Sequence, residues 1–236
     1  MAHIVLGVTG SVAAIRTPAL VKAFQDGGHD VRVVATEPSL YFFDRGQLGP
    51  SIHDAGPPLG TTPLFRDQDE WPRRGRHEPI IGLYRTSDPV LHIELRRWAD
   101  VLVVAPLDAN TLAKIAHGLS DNLLTCLYRA WDRTRPILVA PAMNTFMWDH
   151  PLTRQHLRLL LEVHSKQTRR PTVDIPLEEL IQIVNQSCPN FTICGPQSKR
   201  LACGDVGMGA MAEVSRIAEE VATIVERVME EEEGSG

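Results

Sequence analysis

At 236 residues with 43% hydrophobic content the chain can bury a full core, and its length favours one domain over two short ones. A formal charge of −5, with Lys and Arg scattered along the chain, leaves no basic stripe for nucleic acid, which is therefore not expected as a partner. The four cysteines, Cys126, Cys188, Cys194 and Cys203, form no Cys-x-x-Cys and no zinc-like pairing with His, so they read as free thiols in a reducing compartment, with no metal site.

Strand-like residues begin at His3 and no apolar run approaches membrane-spanning length, so neither a signal peptide nor a membrane partner is expected and the protein is placed in the cytoplasm. His3-Ile4-Val5-Leu6-Gly7-Val8 is an apolar run too short for a helix, and Thr9-Gly10-Ser11 with a helical pattern follows at once: strand, turn, helix. That geometry suits an anion. Gly10 reaches conformations closed to other residues, Ser11 supplies a hydroxyl, and the backbone N–H groups at the helix start, Val12 included, face outward. The spacing is Gly-x-x-Gly-Ser rather than Gly-x-Gly-x-x-Gly, so a single phosphate fits better than a dinucleotide. Thr17-Pro18 reads as an N-cap and an N1 proline that restart the helix, which runs to Gly27-Gly28.

Val31-Arg32-Val33-Val34-Ala35 is the second strand, and its carboxyl end delivers Thr36-Glu37-Pro38-Ser39, a polar turn beside the first phosphate loop whose hydroxyls suit a phosphate. Phe42 and Phe43 follow, to pack against an aromatic cofactor or in the core. Residues 44–86, rich in Gly, Pro, Arg and Asp, read as a long irregular excursion, functional or mobile. Ser87-Asp88-Pro89 then opens a helix with a capping residue and an N1 proline. Val90, Leu91, Leu95 and Trp98 trace its apolar side, and His92 lies one turn in, either a solvated residue or a catalyst. Val101 to Ala105 is a buried strand, and Pro106-Leu107-Asp108-Ala109-Asn110-Thr111 leaves its carboxyl end, with Asp108 and Thr111 as capping candidates for a helix to about Gly118. Ser120-Asp121-Asn122 starts another helix through Trp131, with Cys126 buried on it.

Ile137 to Ala140 is a further strand, stopped by Pro141, which fixes φ and withholds an N–H. Ligands of open parallel sheets sit beyond the carboxyl ends of strands, so Pro141-Ala142-Met143-Asn144-Thr145-Phe146-Met147-Trp148 is expected to be a site. Asn144 offers donors and an acceptor suited to a carboxylate or a ring edge. Met143, Met147 and Trp148 give apolar walls, or plug the core. After a helix from Pro151 to Val163, residues 164–190 read as a surface insertion with a basic run, Lys166 to Arg170, and a helix-like piece, Leu177 to Gln186. Phe191-Thr192-Ile193-Cys194 resumes a strand. Arg200 to Met211 packs three glycines into six residues, the composition of a flap that closes over a ligand, or of an ordinary loop. Val214, Ile217, Val221, Ile224, Val225 and Val228 then form a helical stripe. The expected organisation is one domain over 1–229, with insertions near 44–86 and 164–190, and a solvated acidic and Gly-Ser tail over 230–236.

Four of these stretches resemble one family. Pro141-x-Met143-Asn144-x-x-Met147-Trp148 is similar to the signature of the homo-oligomeric flavin-dependent cysteine decarboxylases, which include phosphopantothenoylcysteine and lantibiotic peptidyl-cysteine decarboxylases. Asp88 to Asp100 resembles the helix that carries the family's active-site histidine, and His92 falls on that position. Pro106 to Thr111 resembles the flavin-holding segment, so Asp108, Ala109, Asn110 and Thr111 carry over as a group; many members have Ser where this chain has Asp108. Arg200 to Met211 resembles the substrate clamp of the phosphopantothenoylcysteine branch, with Cys203 at the proton donor's position and Arg200, Ala202 and Met211 as substrate contacts.

The resemblance implies a Rossmann-like, flavodoxin-type three-layer α/β fold with a central parallel sheet. It implies FMN, held by Gly10, Ser11, Val12, Thr36, Ser39, Phe42, Ala142 and the group from Asp108 to Thr111. It also implies homotrimers with sites between subunits, and decarboxylation of 4′-phosphopantothenoylcysteine to 4′-phosphopantetheine in coenzyme A biosynthesis. Direct loss of CO₂ from a cysteine carboxylate leaves an unstabilised carbanion. Oxidation to a thioaldehyde first places that charge on sulfur, and the aminoenethiol so formed is then reduced by the same flavin. His92 is then expected to act in oxidation and decarboxylation, Asn144 to hold the substrate carboxylate, and Cys203 to protonate the intermediate. Two other readings belong to the same family: a peptidyl-cysteine decarboxylase, which needs no clamp cysteine, and a regulatory subunit that binds a protein phosphatase.

Overall fold

Apolar runs covered on both faces build a six-stranded sheet from β1 (His3–Val8), β2 (Asp30–Ala35), β3 (Leu64–Arg66), β4 (Val101–Leu107), β5 (Ile137–Pro141) and β6 (Phe191–Ile193). The computed structural model describes residues 1–49, 55–56, 58–70, 88–165, 175–200 and 206–233, without the side chains of 199, 200, 206 and 231–233. Every pairing in this sheet is parallel, in the order β3-β2-β1-β4-β5-β6. Side chains alternate between two cores: Val5 and Leu102 enter one, Ile4, Leu6 and Val103 the other. The helices α1 (Thr17–Asp26) and α8 (Val214–Glu233) cover one face. The opposite face carries α2 (Leu91–Trp98), α3 (Ala109–His117), α4 (Leu123–Ala130), α6 (Pro151–His164) and α7 (Leu177–Ser187). This is the three-layer fold expected.

Without β3 the strand order is that of flavodoxins; with it, the order is that of dinucleotide-binding folds. The extra strand comes from the excursion after residue 44, which is therefore not irregular throughout. Arg32 explains part of the anchorage. Its side chain is fully buried in β2, Nη2 donates to the carbonyl of Gly60 at 2.8 Å, and the guanidinium stacks 5.0 Å from the centre of the Trp98 ring. Leu64 and Phe65 are buried beside it, so the excursion is bound to the sheet edge by pairing, burial and one charged side chain. The expectations over 71–87 lie outside the described residues.

Several helix ends differ from the sequence reading. Between β1 and α1 the chain makes a 3-10 turn, Val12–Arg16, and Thr17 is the first residue of α1 rather than its cap. Helix α2 begins at Leu91, not at Pro89, and Val90 gives it no side-chain cap. Asn122 caps α4 by accepting from the Thr125 N–H at 2.8 Å, as the polar run before it suggested, but Cys126 is half-buried rather than buried. Helix α7 is no surface addition: Leu180 and Val184 are fully buried against the sheet. The last helix runs on to Glu233, into the stretch expected to be a tail. The glycine-rich flap opens and closes with strands, β7 (Gln197–Arg200) and β8 (Val206–Ala210), paired antiparallel.

Candidate active site

Strands β1 and β4 are neighbours, and from them the chain proceeds toward opposite edges of the sheet, which opens a crevice at their carboxyl ends. Thr9 bolts the two exits together. Its hydroxyl donates to the carbonyl of Pro106 at 2.8 Å and accepts from the N–H of Asp108 at 2.7 Å. Gly10 passes so close to the next turn that an added Cβ would stand 2.7 Å from that of Pro38. Ser11 Oγ accepts from the N–H of Ala13 at 3.4 Å, and Asp108 Oδ1 caps α3 by accepting from the N–H of Thr111 at 2.7 Å. Between these turns lies a cavity of about 790 Å³, within the size range of cofactor sites.

The third wall follows β5. Ala142, Met143, Asn144 and Met147 line the cavity. Asn144 Oδ1 accepts from the N–H of Phe146 at 2.8 Å and so caps the short helix α5 (Thr145–Trp148). Trp148 is a core plug, 1% exposed, so of the residues expected as walls the two methionines serve and the indole does not. The β7–β8 hairpin lies over this wall. The N–H of Met143 donates to the carbonyl of Gly209 at 2.9 Å, and Gln197 Nε2 ties the hairpin base by donating to the carbonyl of Met211 at 2.7 Å. Gly209 has φ of 126°, and a Cβ there would collide with the carbonyl oxygen of Met143. Gly209→Ala is therefore expected to lift the hairpin from the wall. The fold rests on the distant sheet, so the melting temperature should stay within a few degrees of wild type while bound small molecules leave at least about tenfold faster, about 1.4 kcal/mol. Dissociation followed by absorbance checks this.

His92 stands elsewhere, at the first turn of α2 and outside the lining of its own chain's cavity. Its Nδ1 lies 2.5 Å from Glu70 Oε1, and its backbone N–H donates to Glu70 Oε2 at 3.0 Å. Asp67, in the same short turn, accepts from the N–H of Leu123 at 3.0 Å and so caps α4. Burial pushes the Asp67 carboxyl up, against the opposing pull of that N–H. The Cys126 thiol is pushed up too, first by burial and then by the nearby Glu70 carboxylate. Cys188 and Cys194, both buried, are raised to about 11. None of these three thiols lines the cavity.

A family model described as "Flavoprotein" matches residues 1–228. The chain belongs to the Flavoprotein family. Among curated proteins, it is 45% identical over 215 residues to the phosphopantothenoylcysteine decarboxylase of Arabidopsis thaliana, covering 91% of this chain and 81% of that one. Among solved structures, it is similar to a PPC decarboxylase mutant complexed with pantothenoylaminoethenethiol, at 44% identity and a TM-score of 0.71, over 95% of this chain and 98% of that one. It is likewise similar to the FMN-binding protein AtHal3, at 42% identity and a TM-score of 0.67, covering 96% and 97% of the two chains.

Against the sites expected of a flavoprotein, the cavity brings together Gly10, Ser11, Val12, Asp108, Ala109, Asn110, Ala142, Asn144 and Met211. Thr36, Ser39, Phe42 and Thr111 are not in its lining. Ser39 Oγ donates to the carbonyl of Thr36 at 2.7 Å, within a turn that gives the cavity no lining residue, whereas Thr111 is buried in the first turn of α3, whose Asp108, Ala109 and Asn110 do line it. Phe42 is half-buried and packs edge-on against Tyr41. Arg200 ends β7, with its side chain outside the described residues, as are Ala202 and Cys203. Sequence reasoning missed Thr9, Gln197 and Glu70, each of which acts through partners far away in the chain. Only Thr9, adjoining the Gly10-Ser11 turn, stood beside a signal.

Proposed function

We propose that the chain is an FMN-dependent phosphopantothenoylcysteine decarboxylase, converting 4′-phosphopantothenoylcysteine to 4′-phosphopantetheine for coenzyme A synthesis in the cytoplasm. One observation carries this reading: the Met143–Asn144 wall and the β7–β8 hairpin meet at the cavity that Gly10, Ser11 and Asp108 line. The residues present fit FMN. The turn after β1 and the start of α3 present backbone N–H groups beside the Ser11 hydroxyl for a phosphate, and Ile15, Met143 and Met147 give apolar walls for a flat ring. Bound there, FMN would supply reversible two-electron chemistry, an acceptor for the hydride of the cysteine β-carbon and a donor at the end of the cycle, so that decarboxylation could proceed from a thioaldehyde and finish at the thiol through an aminoenethiol.

The protein's own groups bind, orient and move protons. Asn144, held by its cap, turns an amide toward the substrate carboxylate, and Arg200, Ala202 and Met211 confine the substrate from the hairpin side. His92 serves as acid and base during oxidation and loss of CO₂, and the Cys203 thiol delivers the proton of the last step. Such roles are typically worth about 10²–10⁴-fold each. Homotrimers with sites between subunits fit the surface: Val12, Ile15, Phe146 and Met147 expose large apolar side chains near the cavity, a patch that a neighbouring copy covers. The same contact would bring a neighbour's His92 to the cavity, which its own chain does not do. No helix among the described residues is long and apolar enough to cross a membrane.

The purified protein is expected to be yellow and to release FMN on denaturation; release of FAD, or a colourless protein that takes up neither flavin, overturns the reading. Asn144→Asp separates substrate from cofactor. Asp remains a good N-cap, so the fold and the flavin should be retained. A negative charge in place of two N–H donors faces the substrate carboxylate, and KM should rise at least about tenfold. Flavin loss with unchanged substrate affinity, read by titration, would assign Asn144 to the cofactor instead.

A further inference from the structure

The contact between Glu70 and His92 is where the excursion after β2 enters the chemistry. Resting on the reading that His92 is the acid–base residue, we propose that Glu70 is its positioning residue: the carboxylate holds Nδ1–H, fixes the ring as the tautomer with its lone pair on Nε2, and sets the ring's direction.

Geometry carries this. One carboxylate oxygen lies 2.5 Å from Nδ1 and the other accepts from the backbone N–H of the same residue at 3.0 Å, so Glu70 grips His92 at two points. Glu70 is 3% exposed at its side chain, whereas the imidazole keeps 20%, so the buried partner is the carboxylate and the ring is the accessible one. Nε2 lies across the ring from Nδ1. Val90 gives α2 no side-chain cap, and a carboxylate is the group that a helix N-terminus favours. Glu70 itself is held in place: it follows the turn Asp67–Asp69, which β3 anchors to the sheet and which Asp67 pins to the start of α4. A proton taken at Nε2 makes an imidazolium whose other N–H already faces a carboxylate, so the ring need not turn between its two states.

A carboxylate that merely capped α2 would look the same in the fold, and Glu70→Gln separates the two. The amide oxygen can still accept from the His92 N–H, but the NH₂ group then faces Nδ1, which must accept, and the proton moves to Nε2. The positioning role predicts flavin content and melting temperature close to wild type, KM within about threefold, and kcat lower by about 10²-fold. In ¹⁵N-histidine spectra, with the His92 signals assigned by their loss in His92→Asn, the protonated nitrogen should be Nδ1 in the wild type and Nε2 in Glu70→Gln. Glu70→Asp, which keeps the charge on a shorter arm, should recover part of kcat. Wild-type kcat in Glu70→Gln overturns the proposal, and so does a wild-type His92 protonated at Nε2, which is readable even if the variant fails to fold. A fall in kcat matched by loss of flavin or melting temperature, with no tautomer change, assigns Glu70 a structural role and overturns it too. If His92→Asn is inactive while Glu70→Gln is normal, only the positioning role falls. If His92→Asn itself turns over normally, the reading of His92 falls first.

Discussion

Cys203→Ser is expected to start the reaction and fail to finish it. A serine hydroxyl is a far weaker acid than a thiol, whose ordinary pKa is about 8.5, so oxidation and decarboxylation should proceed while protonation of the aminoenethiol does not. Without air, addition of 4′-phosphopantothenoylcysteine should bleach the flavin band, release CO₂ at roughly one equivalent per site, and leave a product two hydrogens short of 4′-phosphopantetheine. Oxygen should restore the band and permit slow further cycles. If Cys203 were only a small residue suited to a glycine-rich hairpin, the nearly isosteric serine would turn over normally. Anaerobic stopped-flow with mass spectrometry of the product decides, and full yield of the reduced thiol from the variant rejects the proton-donor role.

His92→Asn is expected to leave a folded, yellow protein whose CO₂ release falls by about 10²–10⁴-fold. The side chain is partly exposed at the first turn of α2, where the buried Leu91 and Leu95 hold the helix to the core, so an imidazole is not needed for folding. Mixing extends the test. If a neighbour's His92 completes each cavity, a refolded mixture of His92→Asn and Cys203→Ser chains forms some sites with both native residues, and turnover should exceed that of either variant alone. No gain on mixing, with trimers present in solution, places His92 and Cys203 in the same chain's site. Near-normal turnover by His92→Asn alone removes His92 from the mechanism.

How far the sequence could be read depended on the range over which each residue acts. The strands were legible because both faces of a parallel sheet are covered: Val101 to Ala105 and Ile137 to Ala140 are apolar without interruption, and the structure buries them throughout. The cavity's lining at Gly10, Ser11, Asp108 and Asn144 was legible because these turns leave strand ends and carry their own local caps. The cap of α2 was not. Local signals pointed to Ser87-Asp88-Pro89, but the described helix begins at Leu91 and its first turn is met by Glu70, twenty-two residues upstream of His92. No periodicity announces such a partner, and none announces β3, three residues long and fixed by its neighbour β2. Helix α7 was seen as a helix but misjudged as surface, because an amphipathic stripe shows that one face is buried and not against what.

The central claim is tested most directly by turnover. Purified protein incubated anaerobically with 4′-phosphopantothenoylcysteine, with no nicotinamide and no added oxidant, is followed by CO₂ release and product mass. The account predicts many turnovers per flavin and a product that differs from substrate by CO₂ alone, since the two-electron oxidation is repaid within each cycle. Retention of the carboxylate, or a single turnover that stops two hydrogens short in the wild-type protein, would contradict it.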